Sequence, residues 1–378
     1  RRQRQMCIRD RYIHFPFCKH LCNYCDFYKH KLENEDQVVE FENFLLKQIS
    51  FHETYLAKNN NRLDSLKTLY VGGGTPSLWG ERGIKFLASC FKEKSLVLAK
   101  DCEFTIEVDP DSWTEAEIQR WISIGVNRFS VGSQAFNDKF IKIMDRTHLL
   151  ADVEKTIKYL SDQNLNFSVD LMLGLPNSID RDIEDELKNL LKYGPKHISV
   201  YILKARKNYK HSDSLPEDES IRSEYLKTSK TLVAAGFEHY EVSNFARPGY
   251  KSKHNEKYWN YEGVAALGPN ATGLILKDNE AVRYQWKSAT IGLEEEVIKG
   301  SSLIIEKLFL GLRYESEFNI KSLFQENQDL IKLDKIFDSW KKQRYLKADS
   351  SLENLNLSPL GYLMCDSLID DVFREITF

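Results

Sequence analysis

The chain is poor in the features that would place it outside ordinary folded proteins. Its 378 residues hold only 9 prolines and 18 glycines, which excludes collagen-like repeats and Pro/Gly-rich low-complexity tracts. No run approaches the roughly eighteen consecutive apolar residues of a membrane span, and no signal peptide with a positive start and apolar middle is visible. Charge of one sign is also missing. Lys+Arg 53 against Asp+Glu 56 leave a formal charge of -3, so there is no global basic field to attract nucleic acid. These absences point to a cytoplasmic chain with a small ligand or a protein partner, and leave peripheral association with a membrane open. What is present, 42% hydrophobic and 29% charged residues, suits one large domain and a smaller one.

Cysteine is scarce and unevenly spread. The seven stand at 7, 18, 22, 25, 90, 102 and 365, an odd number that excludes a simple disulfide framework. Cys90, Cys102 and Cys365 read as small core residues. The leader RRQRQMCIRDR carries no apolar periodicity, so residues 1–11, with Cys7, are expected to be unstructured or artefactual. The remaining three lie in YIHFPFCKHLCNYCDF (12–27), behind a short apolar strand. A structural zinc site is usually a closed tetrahedron of four ligands. Three thiolates on one tight loop can instead hold three corners of an iron-sulfur cube and leave the fourth iron free. A zinc site completed by His14, His20 or His30, in a binding module without catalysis, is the alternative.

After this loop the hydrophobic pattern alternates between periods. An amphipathic stripe at 38, 41, 45 and 49 precedes the strand KTLYV (67–71). Strands are then expected at 102–108, 127–131, 166–173 and 197–203, with helices from Thr114, across 136–162 and over DRDIEDELKNLLKY between them. Strands separated by helices imply a parallel sheet with right-handed crossovers. About six such units are too few for a closed eight-unit barrel unless 238–242 and 263–273 add to them. The fold class is therefore α/β: a partial, open TIM-like parallel β/α barrel over 12–240. A connecting segment is expected at 241–300, followed by a small, mostly helical domain at 301–378.

Ligand sites in parallel α/β folds gather at the carboxyl ends of strands, and the unusual residues fall there. The three cysteines follow the first strand, GGGTPS (72–77) the second, and Glu107 and Asp109 of IEVDP share one face at the end of the third. Asp109 reads as a turn residue. Together these stretches resemble the radical S-adenosylmethionine (SAM) superfamily. That resemblance implies a 4Fe-4S cluster on Cys18, Cys22 and Cys25, SAM on its open iron, and reductive cleavage of SAM to an adenosyl radical. Carried over residue by residue, it implies SAM contacts from Tyr12, Gly73, Gly74, Thr75, Glu107, Gln134, Arg146 and Asp170.

The resemblance narrows through YIHFPFC, GGGTPS, EVDP, GLP and EVSNFARPGYKSKHNEKYWN (241–260). These segments are similar to the oxygen-independent coproporphyrinogen III oxidases and their paralogues, the HemW-type haem chaperones. The oxidases carry a fourth cysteine where this chain has Phe27, and a longer extension before the first motif than the eleven residues found here. HNEKYW (254–259) matches the chaperone signature H-N-x-x-Y-W, which implies haem contact through His254. The expected function is therefore haem binding and delivery, with haem, an apo-haemoprotein recipient and an electron donor as partners. Coproporphyrinogen III oxidation in porphyrin biosynthesis is the alternative. Two departures stand out: YILKARKNY (201–209) has Arg206 in place of an acid, and LGPNATG (267–273) has Thr272 where the family commonly has histidine.

Overall fold

The structure, a computed structural model, describes residues 6–206, 209–288, 291–315, 318–324 and 327–376. The chain opens with β1 (Met6–Phe15) and a two-residue ladder, β2 (Phe17–Cys18) with β3 (His30–Lys31), that frames the cysteine loop. Regular units follow: α1 (Glu35–Lys58), β4 (Asn61–Gly73), α2 (Gly80–Lys92), β5 (Leu98–Val108), α3 (Glu115–Ser123), β6 (Arg128–Gln134), α4 (Asp138–Ile143), α5 (Leu150–Asp162), β7 (Phe167–Leu173), α6 (Ile183–Leu191), β8 (His197–Ile202) and α7 (Asp218–Ala234). Local chemistry sets the helix starts. Asn34 and Gln37 form a capping box on α1, and Thr114 and Asp182 accept from backbone amides of α3 and α6, satisfying donors a helix cannot satisfy itself.

The strands form one nine-stranded sheet in the order β11-β1-β4-β5-β6-β7-β8-β10-β9. All pairs from β11 to β8 are parallel. The last two strands, β9 (Glu238–His239) and β10 (Asn244–Ala246), run antiparallel at one edge. At the other edge β11 (Ala265–Leu267) lies beside β1. Both regions held in reserve by the sequence pattern thus supply strands, yet the barrel stays open. The sheet also continues past residue 240, where the main domain was expected to end.

The strands alternate between two buried faces: Leu69, Val71, Phe104, Ile106, Phe129, Val131, Val169 and Leu171, on one face, are all 0% exposed, whereas the positions between them carry polar groups such as Thr68, Thr105, Ser130 and Ser168. The stretch expected to be a connecting segment is structured, with α8 (Lys253–Trp259) and an antiparallel sheet of β12 (Thr272–Leu276), β13 (Glu280–Trp286) and β14 (Leu293–Lys299). Then come α9 (Ser301–Gly311), α10 (Asn327–Lys342), α11 (Pro359–Leu363) and α12 (Cys365–Glu375). Their buried side chains, among them Leu308, Trp340 and Val372, join the same apolar cluster as the barrel.

The leader differs from expectation. Residues 1–5 lie outside the described residues, but Met6–Arg11 form the first half of β1, paired with β4 from Met6↔Asn61 onward. Arg11 is fully buried, its Nη2 3.5 Å from Nδ1 of His52. Three consecutive charged residues, Arg9, Asp10 and Arg11, break the alternation that signals a strand, and the pairing is carried by backbone bonds to β4.

The loop after β7 is held by one buried cation. Arg181 donates to the Met172 carbonyl at 2.7 Å and pairs with Glu186 at 2.8 Å and Glu224 at 3.1 Å. Removing one partner of a buried ion network strands the others. Arg181→Ala is expected to cost about 3–5 kcal/mol in denaturant unfolding, whereas Lys158→Ala, from an exposed pair with Asp162, should change stability by less than about 1 kcal/mol.

Candidate functional site

A cavity of about 430 Å³ opens at the carboxyl ends of the parallel strands. It is lined by Cys18, Cys22 and Cys25 from the cysteine loop, by the Gly73–Gly74–Thr75 turn, and by Glu107, Gln134, Arg146 and Asp170. The cysteine loop is held against the glycine turn by backbone bonds: the Gly74 amide donates to the Phe15 carbonyl and that of Thr75 to Phe17, both at 2.7 Å. A Cβ on Gly74 would stand 2.5 Å from the Phe17 carbonyl oxygen, so the close approach requires glycine.

All three thiols are free. Burial raises the pKa of Cys18 and Cys22, opposed at Cys18 by a hydrogen bond with Thr75 and at Cys22 by the charge of Arg146. Of the three histidines that could complete a zinc site, His20 lines the same cavity as the thiols, and His14 and His30 do not. His14 donates from Nε2 to the Tyr28 carbonyl at 2.7 Å, leaving Nδ1 to accept from the Tyr12 hydroxyl at 2.9 Å. His20 meets Asp145 at 3.0 Å, and His30 packs edge-on against Tyr28. Among the described residues no three His, Cys, Asp or Glu side chains gather around one point as a single ion requires. Cluster thiolates each bind a different iron, so three sulfurs along one cavity wall fit a 4Fe-4S cluster better than a closed zinc tetrahedron.

Two carboxylates occupy the floor. Glu107 accepts from the Tyr70 hydroxyl at 2.9 Å and the Gly73 amide at 3.0 Å. Its pKa is raised to about 7 by burial and by the charge of Asp170, against the pull of those hydrogen bonds. Asp170, in the register Asp170↔Ser199, is also raised by burial and is steadied by Ser199, Ser130 and Ser168. Two buried carboxylates side by side make a pocket suited to a cation.

Arg146 reaches into the cavity wall, where it pairs with Asp109, donates to the Gly132 carbonyl at 3.3 Å and approaches the Cys22 sulfur at 3.8 Å. Burial would raise the Asp109 pKa, but Arg146 and His148 outweigh it and hold the carboxyl well below its ordinary range. Asp109 is therefore more than the turn residue expected: it anchors Arg146. Tyr70 and Ser130 were also missed. Tyr70 lies two residues before the glycine turn and Ser130 stands one strand from Asp170, so both are signalled only by register. Arg206 bridges to Asp26 and the Cys25 carbonyl, which makes the departure at that position a contact to the cysteine loop. Lys207 and Asn208 of the same segment lie outside the described residues.

Two residues are not where the sequence placed them. Tyr12 lines a neighbouring cavity. His254 is 5% exposed and lines none of the three cavities described. Its Nδ1 meets Asp10 at 2.8 Å, and its ring stacks on Tyr70 at 4.9 Å and on Tyr12 at 6.1 Å. A ligand to cargo iron would have to present a free nitrogen to a cavity. This imidazole is packed inside because α8 lays it against β1 and β4.

A family model described as the Radical SAM superfamily matches residues 12–190. The chain is 31% identical over 342 residues to the "Heme chaperone HemW" of Synechocystis sp., covering 84% of this chain and 81% of that one. With the protein of the same name from Escherichia coli it shares 31% over 268 residues, 70% and 69% of the two chains. Among solved structures it is similar to the coproporphyrinogen III oxidase of Escherichia coli, a radical SAM enzyme, with a TM-score of 0.77 and 18% identity over 97% of this chain and 90% of that one. That similarity concerns the fold.

The raised pKa of Glu107 has a definite sign. A carboxyl whose folded pKa lies near 7, above its ordinary 4.5, contributes stability that is complete below the ordinary value and is lost as pH rises through 7. Wild type should therefore lose stability relative to Glu107→Gln between about pH 5 and 8. A carbon-13 NMR titration should find the Glu107 midpoint near 7, moving down in Asp170→Asn as the neighbouring charge disappears.

Proposed function

Because the chain belongs to the HemW haem-chaperone family of the radical SAM superfamily, we propose that it binds haem and hands it to an apo-haemoprotein. The observation that carries this reading is kinship at about 30% identity over most of both chains. Phe27, standing where the coproporphyrinogen oxidases have a further cysteine, agrees with it. We further propose that Cys18, Cys22 and Cys25 hold a 4Fe-4S cluster, and that SAM lies across the strand ends from Gly73 and Gly74 past Glu107 to Asp170.

The cluster and SAM, when bound, supply one-electron chemistry, and the protein supplies position and shielding. Gly73 and Gly74 let the backbone approach the ligand, and Thr75 closes the turn against Cys18. Glu107 and Asp170 offer negative charge to a cationic group. Binding a cation favours ionised Glu107, so SAM binding near neutral pH should release a proton. Gln134, with φ +69 at the end of β6, and Arg146, fixed by Asp109, form the wall beside the thiols.

Three measurements test the reading. Substituting Cys18, Cys22 and Cys25 together by Ala should abolish the visible absorption of anaerobically reconstituted protein; retention of about four irons per chain would remove the cluster assignment. Glu107→Ala and Asp170→Ala should each weaken SAM binding by about 1–3 kcal/mol in calorimetry without bleaching the cluster. The intact protein should take up haem and transfer it to an apo-haemoprotein. Many turnovers of coproporphyrinogen III by reduced, SAM-supplied protein would replace the chaperone reading with the oxidase one.

A further inference from the structure

Beside the first cavity lies a second, also of about 430 Å³, which shares Asp26 and Phe27 of the cysteine loop with it. Its lining is rich in aromatic rings: Tyr12 from β1, Phe27 and Tyr28 from the loop, and Tyr258 from α8. Leu274 and Thr272 of β12 and Leu310 of α9 add aliphatic and small surface, and Asp26, Asn270, Arg283 and Glu306 bring polar and charged groups to the rim. Phe27, on the edge that the two cavities share, is 69% exposed.

Resting on the haem-binding reading above, we propose that this second cavity is the cargo site, and that it recognises the porphyrin macrocycle by its aromatic faces without a histidine on the iron. The size suits a flat, drug-sized ligand, and stacked or edge-on rings favour such a partner over a polar one. The third cavity is of the wrong chemistry, lined by Arg9, Asp10, Lys67, Asp101, Lys253 and Glu256 and so made for ions or water.

The absence of an imidazole ligand follows from the hydrogen bonds. His14 is the one histidine that lines the second cavity, and both its ring nitrogens are engaged, with Tyr12 and Tyr28. Position 272, where the family commonly has histidine, is threonine. His254 lies behind the wall, edge-on to Tyr258 at 5.1 Å and stacked on Tyr12, and so supports two of the lining rings without reaching the space. Arg283, the cation facing the cavity, is already paired with Glu296 and Glu306, so ligand carboxylates gain little there. Recognition falls to the ring.

The test is an absorbance titration of cluster-replete protein with haem and, separately, with metal-free protoporphyrin IX. The two affinities should agree within about threefold, because the proposal places neither an imidazole nor one of the lining tyrosines on the iron. Thr272→Trp and Leu310→Trp, both from half-buried positions on the lining, should fill the cavity and weaken both ligands by about tenfold or more while cluster absorption and SAM binding persist. Phe27→Ala, at an exposed position, should weaken both less severely and guards against a folding defect in either filling variant. His254→Asn, which keeps a side-chain partner for Asp10, should leave the Soret maximum and spin state of bound haem unchanged. If wild type binds no haem, the chaperone reading fails. If it binds haem but Trp at 272 and 310 has no effect, or metal-free porphyrin binds more than about tenfold weaker, the chaperone reading stands and the second cavity loses its role.

Discussion

The site depends on one parallel pairing, β1 against β4, carried to its end. The register reaches Phe15↔Gly73, and there the ladder passes into the two bonds from Gly74 and Thr75 to the Phe15 and Phe17 carbonyls. These bonds place the cysteine loop over the glycine turn. They also explain why glycine is needed: at Gly73 the backbone has φ +118, and a Cβ would stand 2.7 Å from His14 Nδ1. A shift of one residue in the register would turn every side chain of β1 to the opposite face, moving Tyr12 and His14 from the aromatic wall and leaving the loop without its anchor.

From that pairing the electrostatics of the cavity follow strand by strand. Glu107 ends β5, Asp170 lies in β7, and β6 between them presents Ser130 to Asp170. The sheet thus forces two acidic groups into one dry space. Desolvation raises both pKa values, helped at Glu107 by the charge of Asp170, while on the wall the opposite arrangement prevails, with Arg146 and Asp109 each favouring the other's charge. On the floor the buried Arg128 offsets part of the charge of the two carboxylates, whereas on the wall each charge has its own partner.

Much of this architecture was legible in the sequence because it rests on apolar runs and on glycine. The strands at 166–173 and 197–203 appear as Phe167–Leu173 and His197–Ile202, and the cavity gathers seven of the eight residues proposed for SAM together with all three cysteines. What stayed hidden depends on contacts across the chain. Met6–Arg11 has no apolar stripe but pairs as strand; the hairpins at 272–299 carry charged outer faces, such as Glu294–Glu296, that dilute any alternation. Asp109 reads as a turn residue until the side chain of Arg146, 37 positions away, is seen against it.

His254 shows the same limit most sharply. The likeness to the H-N-x-x-Y-W signature implies haem contact through this histidine; in the structure Ser252 caps a seven-residue helix that directs the ring inward. There it accepts the company of Asp10, whose Oδ2 is also reached by Thr68, and stacks between rings that serve different cavities. Tyr70 holds Glu107 in the first, and Tyr12 and Tyr258 line the second. His254 thus lines neither cavity and instead fills the space between Tyr70 of the first and Tyr12 of the second, where close packing of aromatic faces leaves its ring no room to turn toward either.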